Sequence, residues 1–269
     1  MHMKRWLTGI ISIPFLIYMI GTGPRWLFYS FLFIAAIIAL IEFYKMTTSG
    51  LPKIVRWSSY FISLMLFLLF SIKQILLAPV IITLWALVPM TFYMLTHPSP
   101  DEQWISDMGR AVLGPIYICL PIAMLIMIDM RPQGNIWIFF LLTVIFANDT
   151  GAFYLGSLFG KHKLYEAVSP NKTLEGAIGG LIGSFIVAPI FLNIFKIHEL
   201  NPTILILVLL LSVTAQIGDL AESMLKRIHC IKDSGKILPG HGGLLDRIDG
   251  LLFSIPVLYV YLAWTIWVL

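Results

Sequence analysis

Charged residues are scarce in this chain. Asp, Glu, Lys and Arg make up 12% of its 269 residues, whereas hydrophobic residues make up 59% and the mean hydropathy is +0.90. A soluble domain has roughly 25% charged residues, so this composition excludes a soluble globular protein and predicts an integral membrane protein. The net charge of +4 does not indicate nucleic-acid binding, because Lys and Arg in a membrane protein first report its topology.

Cysteine is almost absent. Cys119 and Cys230 are the two in the sequence, and they stand in unlike contexts. Neither belongs to a spacing that is typical of metal or redox sites. We therefore interpret Cys119 as a small core residue and Cys230 as a loop thiol.

Long apolar runs, in contrast, are abundant. A helix needs roughly 20 predominantly apolar residues to cross a bilayer. Nine runs meet that requirement, near residues 6–22, 26–44, 57–72, 75–95, 111–128, 135–156, 174–195, 202–222 and 250–269. We therefore predict an all-α polytopic membrane protein with about nine transmembrane helices.

The distribution of Lys and Arg predicts the orientation of these helices. If the N-terminus is cytoplasmic and the spans alternate, fourteen of the eighteen basic residues lie on the inner side. Such a bias is typical of cytoplasmic segments, so we expect a cytoplasmic N-terminus and a C-terminus outside. The two charged loops, 157–173 and 223–249, then face the cytoplasm. We divide the chain into an N-terminal part of about four helices, 1–110, and a part that carries both loops, 111–269.

Acidic residues occur at the ends of apolar spans. Asp219, Glu222, Ser223 and Lys226 follow the i, i+3, i+4, i+7 spacing and therefore share one helix face. An acid at the centre of a membrane helix costs about 2.5–3.5 kcal/mol, so such a face needs polar partners. Asp149 lies at the end of another span, where a solvated helix end is the alternative interpretation.

Two further acids, Asp246 and Asp249, are three residues apart at the start of the last span. Carboxylates that converge from two helix ends provide oxygen ligands for a hard cation. Mg²⁺ prefers such ligands and is usually held by one or two carboxylates together with substrate phosphates. The pattern therefore indicates a magnesium site.

The segment PGHGG, residues 239–243, places glycines on both sides of His241. Glycines let backbone N–H groups approach an anion closely. Basic residues flank the segment, namely Lys226, Arg227, Lys232, Lys236 and Arg247. Since a patch that binds lipid by charge alone would be basic throughout, the mixture of acids and bases favours phosphate groups with a divalent metal.

The other charged loop continues into GKHKLYEAVSPNKTLEGAIGG, residues 160–180. Lys172 stands there beside small polar residues and is a candidate phosphate contact, although a positive-inside bias also explains it. Thr173 fits a helix cap equally well. The glycine spacing predicts close helix packing at Gly176, Gly179, Gly180 and Gly183.

The segment SMLKRIHCIKDSGKILPGHGGLLDRIDG, which begins at Ser223, resembles the signature of the phosphatidate cytidylyltransferase family, the CDP-diacylglycerol synthases. That pattern, S-x-x-K-R-x(4)-K-D-x-G-x(3)-P-G-H-G-G-x-x-D-R-x-D, is matched over 27 residues. The segments NDTGAFYLGSLFGKHKL and SPNKTLEGAIGG are similar to companion segments of the same family. The resemblance covers roughly residues 147–250.

The resemblance implies Mg²⁺-dependent transfer of CMP from CTP to phosphatidate, with release of pyrophosphate. The expected partners are CTP, phosphatidate, membrane lipids and a second copy of the chain, with no nucleic acid. A second cation beside Mg²⁺ is left open. We expect a bacterial plasma (inner) membrane protein whose active site faces the cytoplasm.

Under this interpretation three sets of residues form the site. The catalytic set is Asp219, Asp246, Asp249, Lys226, Arg227 and His241. The substrate-binding set is Lys172, Ser223, Lys232, Lys236, Gly240, Gly242, Gly243 and Arg247. The metal ligands are Asp219 and Asp246 first, then Asp249, Asp149 and Glu222. The alternatives are a CTP-dependent lipid kinase and an ion-coupled transporter that uses acids in broken helices.

Overall fold

The computed structural model describes residues 13–48, 50–96, 103–235, 237 and 242–267. Its helices are α1 (residues 13–21), α2 (Arg25–Thr47), α3 (Lys53–Ser71), α4 (Ala78–Thr96), α5 (Gln103–Gly114), α6 (Leu120–Asp129), α7 (Gly134–Phe159), α8 (Leu174–Phe195), α9 (Pro202–Ile228) and α10 (Leu245–Trp267). A 3₁₀ turn, Ile75–Leu77, precedes α4, and a π-helical turn, Pro115–Cys119, joins α5 to α6.

The predicted all-α polytopic class is confirmed. Among the described residues, eight helical segments are long and apolar enough to cross a membrane, with α5, the π turn and α6 forming one segment, Trp104–Asp129. The first predicted span, 6–22, begins outside the described residues, and 13–21 are helical. The cytoplasmic position of the N-terminus stays a prediction.

Two helix ends differ from the predicted ones. Helix α9 continues to Ile228 instead of ending near 222, so Lys226 and Arg227 belong to a helix rather than to a loop. Both are good helix formers, and a positive charge in the last turn is favourable beside the helix C-terminus. Helix α10 begins at Leu245, five residues before the predicted start, and thereby includes Asp246 and Asp249.

One face of α8 is apolar and exposed. It consists of five isoleucines four residues apart, each 47–66% exposed: Ile178, Ile182, Ile186, Ile190 and Ile194. A continuous apolar stripe of this kind is unusual on a soluble protein. Because every backbone group of the helix is satisfied internally, the stripe is suited to contact lipid.

A small antiparallel hairpin follows α7. Strand β1 (Lys163–Tyr165) pairs with β2 (Ser169–Thr173), with Lys163 opposite Thr173 and Tyr165 opposite Ser169. The turn is closed by the Val168 N–H, which donates to the Tyr165 carbonyl at 3.2 Å. The predicted loop 157–173 therefore consists of the last turn of α7 and this hairpin.

The chain forms two compact units. The first comprises the described residues of Met1–Met127 and Ile231–Leu245. Its core includes a cluster of Leu51, Val55, Tyr93, Met108 and Ala111. The predicted functional division at residue 110 stays a prediction.

The second unit comprises Ile128–Cys230 and the described residues of Asp246–Leu269. Glycines allow α7 and α8 to pack with their backbones in contact. A Cβ on Gly179 would lie 2.7 Å from the Gly151 carbonyl, and one on Gly180 would lie 2.5 Å from Asn148 Oδ1. The predicted close packing of these glycines is confirmed, and it is typical of membrane helices, whose interfaces are rich in small residues.

Glycines also bring α9 against α10. A Cβ on Gly218 would lie 2.5 Å from the Asp249 carbonyl and 3.1 Å from Gly250 Cα. Further along the same pair, the Ser254 hydroxyl donates to the Leu211 carbonyl at 3.1 Å. The approach at Gly218 places the acids that follow it on α9 beside the first turns of α10.

Candidate active site

The second unit contains a cavity of about 570 Å³ between α7, the hairpin, the start of α8, and α9. Polar side chains from all these elements except α8 line it. They are Asn148, Asp149, Ser157, Ser169, Asn171, Lys172, Thr173, Gln216 and Asp219. The cavity is large enough for a small ligand, since such sites usually measure about 300–1,000 Å³.

The hairpin positions Lys172 at this cavity. Lys172 lies on β2, and Thr173 after it caps α8, because the Thr173 hydroxyl accepts a hydrogen bond from the Gly176 N–H at 3.1 Å. The cap predicted for Thr173 is confirmed. On the other side of the hairpin, Glu175 accepts hydrogen bonds from the backbone N–H groups of Lys161 and His162 at 3.1 and 3.2 Å. The hairpin is thus held at the N-terminus of α8.

Lys172 contacts the first of the predicted metal ligands. Its Nζ lies 2.6 Å from Asp219 Oδ2, as an ion pair whose angles do not make a hydrogen bond. Asp219 is 45% exposed and lines the cavity, whereas the Lys172 Nζ atom is buried. The ammonium group therefore places a positive charge at the wall of the cavity.

A second lysine joins α9 to α10. The Nζ of Lys226 donates to Glu222 Oε2 at 2.6 Å and to Asp246 Oδ1 at 2.8 Å. All three side chains are largely buried, and that of Glu222 is fully so. The prediction that Glu222 and Lys226 share one face of α9 is therefore confirmed. A buried carboxylate needs such a partner, because an unpaired buried charge is costly.

The remaining acids extend this cluster. Asp249 interacts electrostatically with Asp219 and Glu222, and Asp149 interacts with Asp219 and Lys172. These interactions connect the five carboxylates that the sequence predicted as metal ligands. Two lysines, Lys172 and Lys226, contact members of this group. Neighbouring carboxylates provide the oxygen donors that suit a hard cation.

The donor set fits Mg²⁺ in its chemistry. All of these groups are carboxylates, which suit a hard divalent cation, and Glu222 Oε1 is buried without a hydrogen-bond partner among the described residues. No group of three or more described His, Cys, Asp or Glu side chains has the geometry of a ready-made metal centre. Lysine ammonium groups contact two of these carboxylates, Asp219 and Asp246. The magnesium ligands stay a prediction.

The other predicted residues fall in different places. Arg227 Nε donates to the Val168 carbonyl at 3.1 Å, so this side chain supports the hairpin. Ser223 is buried on α9, and Arg247 lies in the first turn of α10. Lys232, Gly242 and Gly243 belong to the first unit. Lys236, Gly240 and His241 lie outside the described residues.

The backbone conformation at position 242 favours glycine. Its φ is 84°, in the left-handed region that a residue with a side chain rarely adopts. The contact with phosphate that was predicted for Gly242 and Gly243 stays a prediction.

Sequence reasoning missed an amide pair in the cavity wall. Gln216 Nε2 donates to Asn148 Oδ1 at 2.9 Å and to the Ala177 carbonyl at 3.0 Å. The available signals were the position of Gln216 three residues before Asp219, and that of Asn148 directly before Asp149. This pair ties α7, α8 and α9 together where they border the cavity.

Sequence reasoning also missed Glu42. It is an acid inside the second apolar run and is 2% exposed. An acid in such a run is itself a signal, because it must be compensated.

Comparison with known proteins identifies the family of this chain. Residues 3–265 match the profile of the cytidylyltransferase family. The chain is 37% identical over 259 residues to a phosphatidate cytidylyltransferase of Staphylococcus haemolyticus, which covers 96% of this chain and 98% of that protein. It is 39% identical over 183 residues to a phosphatidate cytidylyltransferase of Staphylococcus aureus, covering 68% of this chain and 70% of that protein. The chain belongs to the cytidylyltransferase family.

Proposed function

We propose that this protein transfers CMP from CTP to phosphatidate and releases pyrophosphate, forming CDP-diacylglycerol for phospholipid synthesis. The observation that carries the proposal is the cluster of five acids and two lysines in a membrane-spanning unit, where Lys172 and Asp219 line a cavity. Such a cluster suits a substrate that brings both phosphate groups and metal. Membership of the family and the names of the similar Staphylococcus proteins support the same reaction.

The reaction requires little acid–base chemistry from the protein. An oxygen of the phosphatidate phosphate attacks the α-phosphorus of CTP, a new P–O bond forms, and the bond from that phosphorus to the β-phosphate oxygen breaks. The nucleophile is already an anion, so no strong base is needed. Catalysis therefore consists mainly of positioning and of neutralising negative charge.

Lys172 and Lys226 are suited to that neutralisation. In the structure each ammonium group contacts a carboxylate, Asp219 or Asp246. These contacts hold each lysine in place and are exchangeable for contacts with phosphate oxygens. We propose that Asp219 and Asp246 then bind Mg²⁺, with Asp249, Asp149 and Glu222 in support. When bound, Mg²⁺ would neutralise phosphate charge and orient the reacting groups.

The apolar surroundings of the site suit the lipid substrate. The exposed isoleucine stripe of α8 begins near the end of the helix that borders the cavity. A lipid phosphate would reach the cavity while its acyl chains stay in the bilayer. We propose that the site faces the cytoplasm at a bacterial inner membrane and that the protein works as a homodimer.

The test uses purified protein in detergent with phosphatidate and with CTP labelled at the α-phosphate. We expect label in the lipid only in the presence of Mg²⁺, with one pyrophosphate released for each lipid labelled. A lipid kinase would instead release CDP, and label at the γ-phosphate would enter the lipid. Folded protein that labels no lipid from either position of CTP contradicts the proposal and favours transport.

A further inference from the structure

Glu42 lies on α2 and contacts the loop that carries the family signature. Its Oε2 accepts a hydrogen bond from the Leu245 N–H at 2.9 Å, and the Ser234 hydroxyl lies 3.5 Å from the same atom. All three residues belong to the first unit. Leu245 is the first residue of α10, so Glu42 satisfies an N–H group that the helix itself leaves unpaired. A carboxylate is also favourable at a helix N-terminus.

Two glycines of the loop pack directly against the same carboxylate. A Cβ on Gly235 would collide with Glu42 Oε1, and a Cβ on Gly243 would lie 2.8 Å from Glu42 Oε2. Contact with Glu42 therefore explains why Gly235 lacks a side chain, whereas a Cβ on Gly243 would first meet Ser234 and the backbone of Gly235. This explanation is independent of any phosphate.

The burial of Glu42 is costly for the fold. The residue is 2% exposed, and its Oε1 has no hydrogen-bond partner among the described residues. A leucine would be easier to bury in this apolar helix. A hydrogen-bond acceptor at this position is therefore better explained by its contacts with Ser234 and Leu245 than by the stability of α2.

We infer that Glu42 is a positioning residue whose carboxylate holds two described residues of the signature segment, Ser234 and Leu245, in place. The inference rests on the proposed function, because the loop matters for catalysis only if the signature residues act on substrate. Leu245 is followed in the chain by Asp246, one of the proposed metal ligands. Without the Glu42 carboxylate, the Leu245 N–H at the start of α10 would be less firmly held.

The first test compares Glu42→Ala and Glu42→Gln with wild type. We expect Glu42→Ala to lower kcat for CDP-diacylglycerol formation by about 10- to 100-fold, the effect of a small misplacement of reacting groups. Glu42→Gln keeps an oxygen that accepts the Leu245 N–H and should retain most of the rate. The matched control is Thr47→Val, since Thr47 is buried on the same helix and bonds locally to the Phe43 carbonyl at 2.8 Å. It should behave as wild type.

Hydrogen exchange supplies a readout that does not depend on activity. In Glu42→Ala the amides of residues 242–245 should exchange faster, while those of α3 and α4 keep wild-type protection. Faster exchange throughout the first unit, or unchanged exchange at 242–245, would overturn the inference. Absence of CDP-diacylglycerol formation by the wild type would instead defeat the proposed function, and the exchange result would still decide whether Glu42 holds Leu245 in place.

A double-mutant comparison tests the contact itself. Gly235→Ala should slow the reaction in wild type, because the new methyl group displaces the Glu42 carboxylate. In the Glu42→Ala background the same change should have a much smaller effect, since the colliding atoms are gone. Equal fold-changes in the two backgrounds would show that the two residues act independently, against the inference.

Discussion

The ammonium group of Lys226 bridges two acids on different helices, with Nζ 2.6 Å from Glu222 Oε2 and 2.8 Å from Asp246 Oδ1. The lysine is i+4 from Glu222 on α9, so helix geometry alone makes that contact. The contact with Asp246 depends on the packing of α9 against α10. Lys226 thus makes one contact within α9 and one contact that joins α9 to α10.

Lys226→Met tests this bridge. Removing the ammonium group takes the Lys226 contact away from the buried carboxylates of Glu222 and Asp246, which we expect to destabilise the protein by roughly 3–5 kcal/mol and to abolish detectable turnover. Thermal unfolding in detergent and the labelled-CTP assay measure the two effects. Adding Glu222→Gln should recover stability but not activity, and exposed Lys45→Met should change neither. Recovery of both by the double variant would argue against a catalytic role for Lys226.

Asp219→Asn tests the metal proposal. The change removes one carboxylate from the cluster and frees Lys172 from its ion pair. We expect the Mg²⁺ concentration for half-maximal rate to rise by at least about tenfold, as for other losses around metal sites, and chelation by EDTA to stop the wild-type reaction reversibly. A lower rate with an unchanged Mg²⁺ requirement would assign Asp219 to another role.

Much of this site was accessible from the sequence because its signals are local. Helical spacing placed Glu222 and Lys226 on one face, and the small-residue spacing of α8 predicted close packing at Gly179 and Gly180. Apolar runs likewise predicted every span in the described residues. Each of these inferences needs only the residues of a single helix, either their spacing or the length of their apolar run.

The rest depends on contacts between distant residues. Glu42 and Leu245 are 203 positions apart, and Asn148 and Gln216 are 68 apart, so no helical period relates them. The hairpin was missed because SPNKT carries little strand propensity, and its pairing is supported by Glu175 and Arg227. Nor does the sequence predict that Lys172 contacts Asp219 or that Lys226 contacts Asp246, because each of these contacts joins two different elements.

Gly218→Ala tests the approach of α9 and α10. The added Cβ would lie 2.5 Å from the Asp249 carbonyl and 3.0 Å from Phe253 Cδ2, so α10 must move. We expect a loss of roughly 1–3 kcal/mol in stability and a larger loss of activity than stability alone explains. The matched control is Gly109→Ala, because Gly109 is an exposed helical glycine with nothing within 4 Å of a Cβ. Gly109→Ala should stabilise the protein slightly, by up to about 1 kcal/mol. If Gly218→Ala and Gly109→Ala had the same effect on stability and activity, the packing argument would be contradicted.

Gln216→Leu tests the amide pair in the cavity wall. The change removes the donor to Asn148 Oδ1 and to the Ala177 carbonyl, and Asn148 is only 1% exposed. A buried acceptor left without its donor should cost roughly 1–3 kcal/mol of unfolding free energy, whereas replacing both partners by apolar groups should restore part of it. We therefore expect Gln216→Leu with Asn148→Leu to unfold at a higher temperature than Gln216→Leu alone. Both variants should show a raised KM for CTP, because the cavity wall has changed.

Thr143→Val, which removes a hydroxyl bonded locally to the Phe139 carbonyl, controls for loss of a polar group elsewhere on α7. If KM stayed at the wild-type value in both leucine variants, the amide pair would hold the three helices together without contributing to the binding of CTP.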